Sequence, residues 1–402
     1  MESAAASQRK SAAPVVVWDE SLAAYDFGRD HPMAPLRLQL TMDLARSLGL
    51  LDGPTVIGAE PVSDHLLRLV HSEDFIAAVK RAGSQGFSDM AHGLGTEDVP
   101  VFRGMHEASA HIVGGTVAAC AAVWHGPAKR AINISGGLHH AMSNSASGFC
   151  VYNDIAVGIS WLLEQGVQRV AYVDIDVHHG DGVQKIFWDD PRVLTISLHE
   201  SGRVLFPGTG FPHETGGSAA TGHAVNVALP AGTGDAGFLR AFASIVPPLL
   251  AEFAPTVLVS QHGCDSHTLD PLAHLTLTID GQRALALAIE DVAEKYANGR
   301  WVAVGGGGYE IVQVVPRTWT HLIGILTGNR VDPATDIPAQ WRDQVLRQTG
   351  QVAPHAMTDG ATPLTKAWAD GGYDPSDWVD RAILATREAV FPTHGLEPLF
   401  DV

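Results

Sequence analysis

The stretch "VAYVDIDVHHGDG", Val170 to Gly182, sets three carboxylates and two imidazoles within thirteen residues, directly behind an apolar run. In a strand, residues two apart share a face, so Asp174, Asp176 and His178 are expected to point one way and Val173, Ile175 and Val177 the other. A run of solvated turn residues is the bland alternative. Two aspartates on so apolar a strand, however, need partners to be tolerated. The C-terminal end of a parallel strand is where open α/β sheets place their ligands. The stretch therefore reads as a site built on a buried parallel strand.

Outward from it, short β-branched runs alternate with longer segments of helical period. Val15–Trp18, Arg130–Ser135, Arg169–Val177, Arg192–Leu198, Thr256–Gln261 and Trp301–Gly308 read as strands. Ala34–Leu48, His106–Trp124, Asn153–Gln165 and Asp280–Ala297 read as helices. The alternation predicts an α/β fold, a mostly parallel central sheet with helices on both faces. No repeat or Pro/Ser-rich linker divides the 402 residues. One large domain over 14–402 is expected, behind a small, polar, disordered tail over 1–13 with no secretory h-region. The long irregular stretch His199–Asn226 reads as a functional loop, and two helix-like segments after Arg330 are expected to pack on the same domain.

Composition narrows the function. Acidic residues outnumber basic ones 44 to 26, for a formal charge of -18, which disfavours nucleic acid and anionic membranes as partners. No run reaches the roughly 18 apolar residues of a membrane span. Cys120, Cys150 and Cys264 are scattered and odd in number, as in a reducing compartment, so the expected address is cytoplasmic.

Other strand ends carry the same chemical vocabulary. "INISGGLHHA" delivers His139 and His140, "VLVSQHGCDSH" delivers Asp265, and "VAVGGGGYE" delivers Tyr309. Asp176, His178 and Asp265 form a three-ligand set that leaves a position open, as a catalytic zinc requires. Magnesium or calcium would favour more oxygens and no imidazole. The histidine pair suits proton transfer, with Asp174 and Asp181 as candidate orienting partners. Tyr309 suits donation to an oxyanion. Gly305–Gly308 lacks both the GxxxxGK[ST] and the GxGxxG patterns, which disfavours a nucleotide.

These residues resemble the zinc-dependent histone deacetylase superfamily. The matching stretches are "HPMAPLRLQL", "GGLHHA", "SGFCVYND", "DIDVHHGDGV", "TISLHE", "LFPGTG", "GCD" and "GGGGYE", in order from His31 to Glu310. The form "CDSHTLDPLAHLTLT" is most similar to the class I-like, bacterial acetoin-utilisation (AcuC-type) branch. The resemblance implies an arginase/deacetylase-like fold and hydrolysis of Nε-acyl-lysine in proteins, with metabolic enzymes such as acyl-CoA synthetases as clients. It implies Zn2+ on Asp176, His178 and Asp265, His139 and His140 as the acid/base pair backed by Asp174 and Asp181, and Tyr309 polarising the carbonyl. Phe149 and Phe206 would wall the lysine channel with Gly148, Asp98 would bind substrate backbone at the rim, and Arg37 would line a cavity beneath the metal. A structural K+ would use Asp174, Asp176, His178, Ser197 and Leu198. A second would use Phe187, Asp190 and Val193, although His223 stands where a tyrosine is common.

Three rivals remain in view. An acetylpolyamine amidohydrolase would use the same chemistry on a small cation. A ureohydrolase would need a second aspartate where Gly263 stands. A catalytically silent acyl-lysine reader would not need the proton-transfer residues. The oligomeric state stays open.

Overall fold

The structure, a computed structural model, describes residues 12–400. Most of the tail expected over 1–13 thus lies outside the described residues. Eight strands form one sheet: β1 Val15–Val17, β2 Thr55–Ile57, β3 Arg130–Asn133, β4 Val170–Asp174, β5 Val193–Glu200, β6 Ala224–Leu229, β7 Val257–Gln261 and β8 Trp301–Val304. Their order is β2-β1-β3-β8-β7-β4-β5-β6, and every pair is parallel.

Each central strand sends alternate residues to two cores. On one face Ala171, Val173, Leu258, Trp301 and Ala303 pack beneath the helices Leu36–Ser47, Asp235–Phe253, Ile279–Tyr296 and Val315–Thr327. On the other, Val170, Tyr172, Val257, Val259, Val302 and Val304 pack beneath Glu73–Gln85, Met105–Trp124 and Asp154–Glu164. Both faces are covered, so the strands are apolar almost throughout. Helix starts are fixed locally: the Asn153 side chain accepts from Ala156 N and that of Thr278 from Gly281 N.

Helices Ala339–Thr349 and Trp378–Val390 supply the two segments expected after Arg330. Their Trp341, Val345 and Ile383 join the same core as Val16. Helix Asp235–Phe253 is long and apolar enough to cross a membrane by composition alone. Its Phe238, Phe242, Ile245 and Leu249 are instead buried against the sheet.

Two strands escaped the sequence reading. β2 is a three-residue edge strand, and β6 starts inside the stretch read as a loop, which shortens that loop to 201–223. Strand alternation also ends sooner than expected, because β4 stops at Asp174 and β8 at Val304.

Candidate active site

β3, β8, β7 and β4 are consecutive neighbours in the sheet, so the segments leaving their C-terminal ends meet. Beyond Asp174 the chain turns. Asp174 Oδ1 accepts from Asp176 N at 3.1 Å, and Asp176 Oδ1 accepts from His178 N at 3.0 Å. Asp176 and His178 are thus positioned by aspartate-capped turns, not by strand pleating. Ile175 and Val177 nonetheless stay in the core that holds Val173. Asp265 arrives from the segment after β7 and is tied to this turn, accepting from Val177 N at 3.0 Å.

Ligand atoms of Asp176, His178 and Asp265 all lie within 4.8 Å of one another, and all three residues are buried. His178 Nδ1 is 3.1 Å from both Asp176 Oδ1 and Asp265 Oδ2. Two glycines make the approach possible. A Cβ at Gly263 would lie 2.0 Å from Asp176 Oδ2, and one at Gly307 would lie 1.9 Å from Asp265 Oδ2. Burial disfavours the imidazolium of His178, but the two carboxylates outweigh it and raise its pKa to about 10. Burial and the charge of Asp176 raise Asp265 to about 6. Two buried carboxylates converging on one imidazole favour a cation between them, and these donors, one nitrogen and two carboxylates, fit a zinc-class ion.

The histidines from the β3 end sit beside it. His139 Nδ1 donates to Asp174 Oδ2 at 2.8 Å, His140 Nδ1 donates to Asp181 Oδ1 at 2.7 Å, and the two Nε2 atoms are 3.0 Å apart. Burial opposes charge on both. For His139 the charges of Asp174 and Asp176 prevail and raise its pKa to about 9. For His140 burial and the adjacent His139 lower it to about 4. The surroundings thus push the two imidazoles in opposite directions, a separation suited to acid/base work.

Tyr309 follows the glycines after β8. Burial, then the negative charges of Asp265 and Asp176, hold its phenol well above the ordinary range, so it stays a donor. Its ring meets Phe149 edge-on at 5.6 Å between centroids, and Phe206 meets His140 likewise at 5.0 Å. Phe206 is 46% exposed, placing it at the mouth. Gly148 and Phe149 both have left-handed backbone. Their turn is held by Asp98 Oδ2, which accepts from Gly148 N at 2.7 Å, and by Tyr25, whose hydroxyl donates to Phe149 O at 2.7 Å. Arg37 is buried under the glycine segment and donates to Gly306 O at 2.8 Å and Gly308 O at 3.2 Å.

Of the positions tied to potassium, Ser197 and Asp174 are register partners on β5 and β4, Leu198 follows on β5, and Ser197 Oγ lies 2.8 Å from His199 Nδ1. Phe187, Asp190 and Val193 form a hydrogen-bonded turn, with Asp190 N donating to Phe187 O and Val193 N to Asp190 O.

Several residues of the site went unread in the sequence. Gln261 donates through Nε2 to Asp176 Oδ2 at 2.7 Å, and the Tyr172 hydroxyl donates to Asp174 Oδ2 at 2.6 Å. Gln261 is a polar residue ending an apolar strand, the same signal that pointed to Asp174. Asp154 accepts from Gly137 N and Leu138 N, and Asn153 Nδ2 donates to His139 O, so both steady the histidine segment. Their position at a helix start hid them among ordinary caps.

The family model described as "Histone deacetylase domain" matches residues 31–326. The chain belongs to the histone deacetylase family. The "Acetoin utilization protein AcuC" of Bacillus subtilis (strain 168) is 42% identical over 350 residues, 86% of this chain and 90% of that protein. Its namesake in Staphylococcus xylosus is 38% identical over 328 residues, 81% and 85% of the respective chains. A solved structure titled as that of an HDAC homolog complexed with SAHA superposes with a TM-score of 0.80 at 26% identity, covering 94% of this chain and 100% of that one. The deacetylase thus shares its α/β fold with that structure, and its candidate metal triad lies within the region matched by the family model.

Proposed function

We propose that this deacetylase hydrolyses the Nε-acyl amide of lysine side chains in proteins, with residues 14–402 acting as one domain. The observation that carries the reading is the meeting of a buried Asp-His-Asp triad with two histidines whose Nε2 atoms are 3.0 Å apart. A zinc-class ion held by Asp176, His178 and Asp265 supplies Lewis acidity toward water and the amide carbonyl. The chain's own residues do the rest. His140, neutral and oriented by Asp181, accepts a proton from the attacking water, and His139, protonated and backed by Asp174, gives one to the departing amine. The Tyr309 phenol donates to the carbonyl oxygen as negative charge develops there. Phe149 and Phe206 flank the uncharged lysine stem and exclude water from it.

The finer points rest on lesser support. Lysine in proteins, not a polyamine, is the substrate that Asp98 would suit: its carboxylate, which accepts from Gly148 N at 2.7 Å, would also accept a peptide N–H of the substrate, a group that a polyamine lacks. Likeness to proteins named for acetoin utilisation supports metabolic enzymes as clients, and we extend that reading to acyl-CoA synthetases. A structural K+ beside Asp174 and Ser197 accords with their pairing. A cytoplasmic setting accords with free, buried Cys120, Cys150 and Cys264.

The test compares kcat/KM of the zinc-loaded enzyme on acetyl-lysine peptides and on acetylated putrescine and spermidine. Peptides are expected to be far better substrates. Because Asp98 also secures the Gly148 turn, Asp98→Ala should slow both classes. Losing one charge-assisted hydrogen bond to substrate should cost peptides a further factor of about 10 to 100. Better turnover of the acetylated amines would transfer the assignment to a polyamine amidohydrolase, and no turnover of either class by metal-replete protein would favour a silent reader.

A further inference from the structure

The Tyr309 phenol stands on a segment outside regular structure, tied to the β7 side by His262 N donating to Gly305 O at 2.9 Å and Cys264 N to Gly307 O at 2.8 Å. β8 ends at Val304 and the next helix begins at Val315. Between them come four glycines, of which Gly306 (φ 151°) and Gly308 (φ 145°) adopt conformations that L side chains rarely take. A glycine segment has no side chains to wedge it in place. The direction of the Tyr309 side chain is therefore set by whatever holds its peptide groups. Arg37 holds the carbonyls of Gly306 and Gly308, and Asp176 Oδ2 accepts from Gly307 N at 2.8 Å. At Tyr309 itself the backbone N donates to Asp270 Oδ2 at 2.8 Å.

Asp270 is 6% exposed and belongs to neither the triad nor the histidine pair. Its other oxygen accepts from Leu272 N at 3.0 Å, so one carboxylate bridges two loops. The loop carrying Asp270 is itself anchored. Asp270 N donates to His267 O at 2.9 Å, and His267 Nε2 donates to Asp359 Oδ2 at 2.8 Å. Further along, His274 donates through its backbone N and Nδ1 to the buried Glu200 at 2.8 and 2.9 Å.

We propose that Asp270 is a positioning residue for deacylation, its carboxylate fixing the Tyr309 peptide and so aiming the phenol at the substrate carbonyl. The proposal rests on Tyr309 being the oxyanion donor. Alanine at 270 would leave the N–H groups of Tyr309 and Leu272 without this acceptor. Asparagine keeps one acceptor oxygen and should hold part of the arrangement.

The test is a double-mutant cycle in the zinc-loaded enzyme, with kcat, KM and zinc content measured for wild type, Asp270→Ala, Tyr309→Phe and the double variant on an acetyl-lysine peptide. Displacement of the phenol by the order of 1 Å should lower kcat of Asp270→Ala about 10- to 100-fold, with KM and zinc content little changed. In the Tyr309→Phe background the same substitution should change kcat less than about threefold, because there is no phenol left to aim. A trifluoroacetyl-lysine peptide, whose carbonyl is more electrophilic, should lose less in both single variants. Asp270→Asn should fall between wild type and alanine, and it carries the test in the same cycle should the alanine variant not fold. Equal losses in the wild-type and Tyr309→Phe backgrounds, or loss of zinc, would assign Asp270 to the fold or the metal cage and overturn the proposal. Near-normal kcat of Tyr309→Phe alone would instead refute the oxyanion role beneath it.

Discussion

Replacing Gly148 with alanine tests how tightly the channel wall is built against the proton-transfer pair. Gly148 has φ 55°, and a Cβ there would lie 2.2 Å from His140 Cδ2 and 2.5 Å from Cγ. The left-handed backbone alone costs an alanine about 1–2 kcal/mol. The contact is the larger effect. Carbon atoms pack at about 3.5–4.0 Å, so something must retreat by more than 1 Å. If the turn retreats, it takes Phe149 with it and strains the bonds from Gly148 N to Asp98 and from Tyr25 to Phe149 O. If His140 retreats, its 2.7 Å bond to Asp181 is lost. Either displacement should lower kcat/KM on an acetyl-lysine peptide by about 100-fold, with zinc content unchanged. Gly86 provides the control: its φ is 74°, nothing lies within 4 Å of its added Cβ, and Gly86→Ala should lose stability without losing activity. A Gly148→Ala enzyme within about threefold of wild type would show that the turn yields freely and that its fit against His140 has no bearing on the reaction.

Asp176→Ala should fail to retain zinc, and strong chelation should abolish wild-type activity; metal analysis showing two manganese ions per chain would contradict the triad. Gln261→Met removes a donor to Asp176 Oδ2 and should weaken zinc about 10- to 100-fold in competition with a chelator, since second-layer hydrogen bonds orient metal ligands. Burial pushes Asp359 up, but His267, the Ile279 N–H and Arg317 together hold it well below the usual carboxylate range. Its stabilising effect is therefore present above the unfolded value of about 3.9 and is lost as pH falls through that value toward the lower folded one. Asp359→Asn should cost about 1.5–3 kcal/mol in urea unfolding at pH 7, with the gap to wild type narrowing in acid; an equal deficit at both pH values would argue against the ion pair.

Much of the fold was legible because burial on both faces leaves a simple trace. Runs such as Val170–Val173, Val257–Val259 and Trp301–Val304 are short, largely apolar and rich in valine, and their alternation with helical segments admits few architectures. β2 and β6 were missed for different reasons. Thr55–Ile57 is too short and too exposed to show a pattern. Ala224–Leu229 has Asn226 at its centre, a buried residue whose Nδ2 donates to Gln184 Oε1 at 2.7 Å and to Glu214 O at 3.0 Å. A buried polar side chain whose Nδ2 bonds to distant partners looks, from sequence, like a loop.

The site was legible in its residue types but not in the way they are held. Strand periodicity put Asp174, Asp176 and His178 on one face, yet the strand ends at Asp174 and the next two are carried by turns that the aspartates themselves cap. The reason lies in charge. Carboxylates this deeply buried cost several kcal/mol each unless donors surround them, and a continuing strand would commit its N–H groups to neighbouring strands. By leaving the sheet at Asp174, the chain frees the N–H groups of Asp176, Val177 and His178 to serve Asp174, Asp265 and Asp176 in turn. The glycines after β7 and β8 follow the same logic, since side chains at Gly263 and Gly307 would occupy the space of the carboxylates. The end of regular structure and the start of the acidic site are thus one event, which is why an apolar run gives way so abruptly to charge at Asp174.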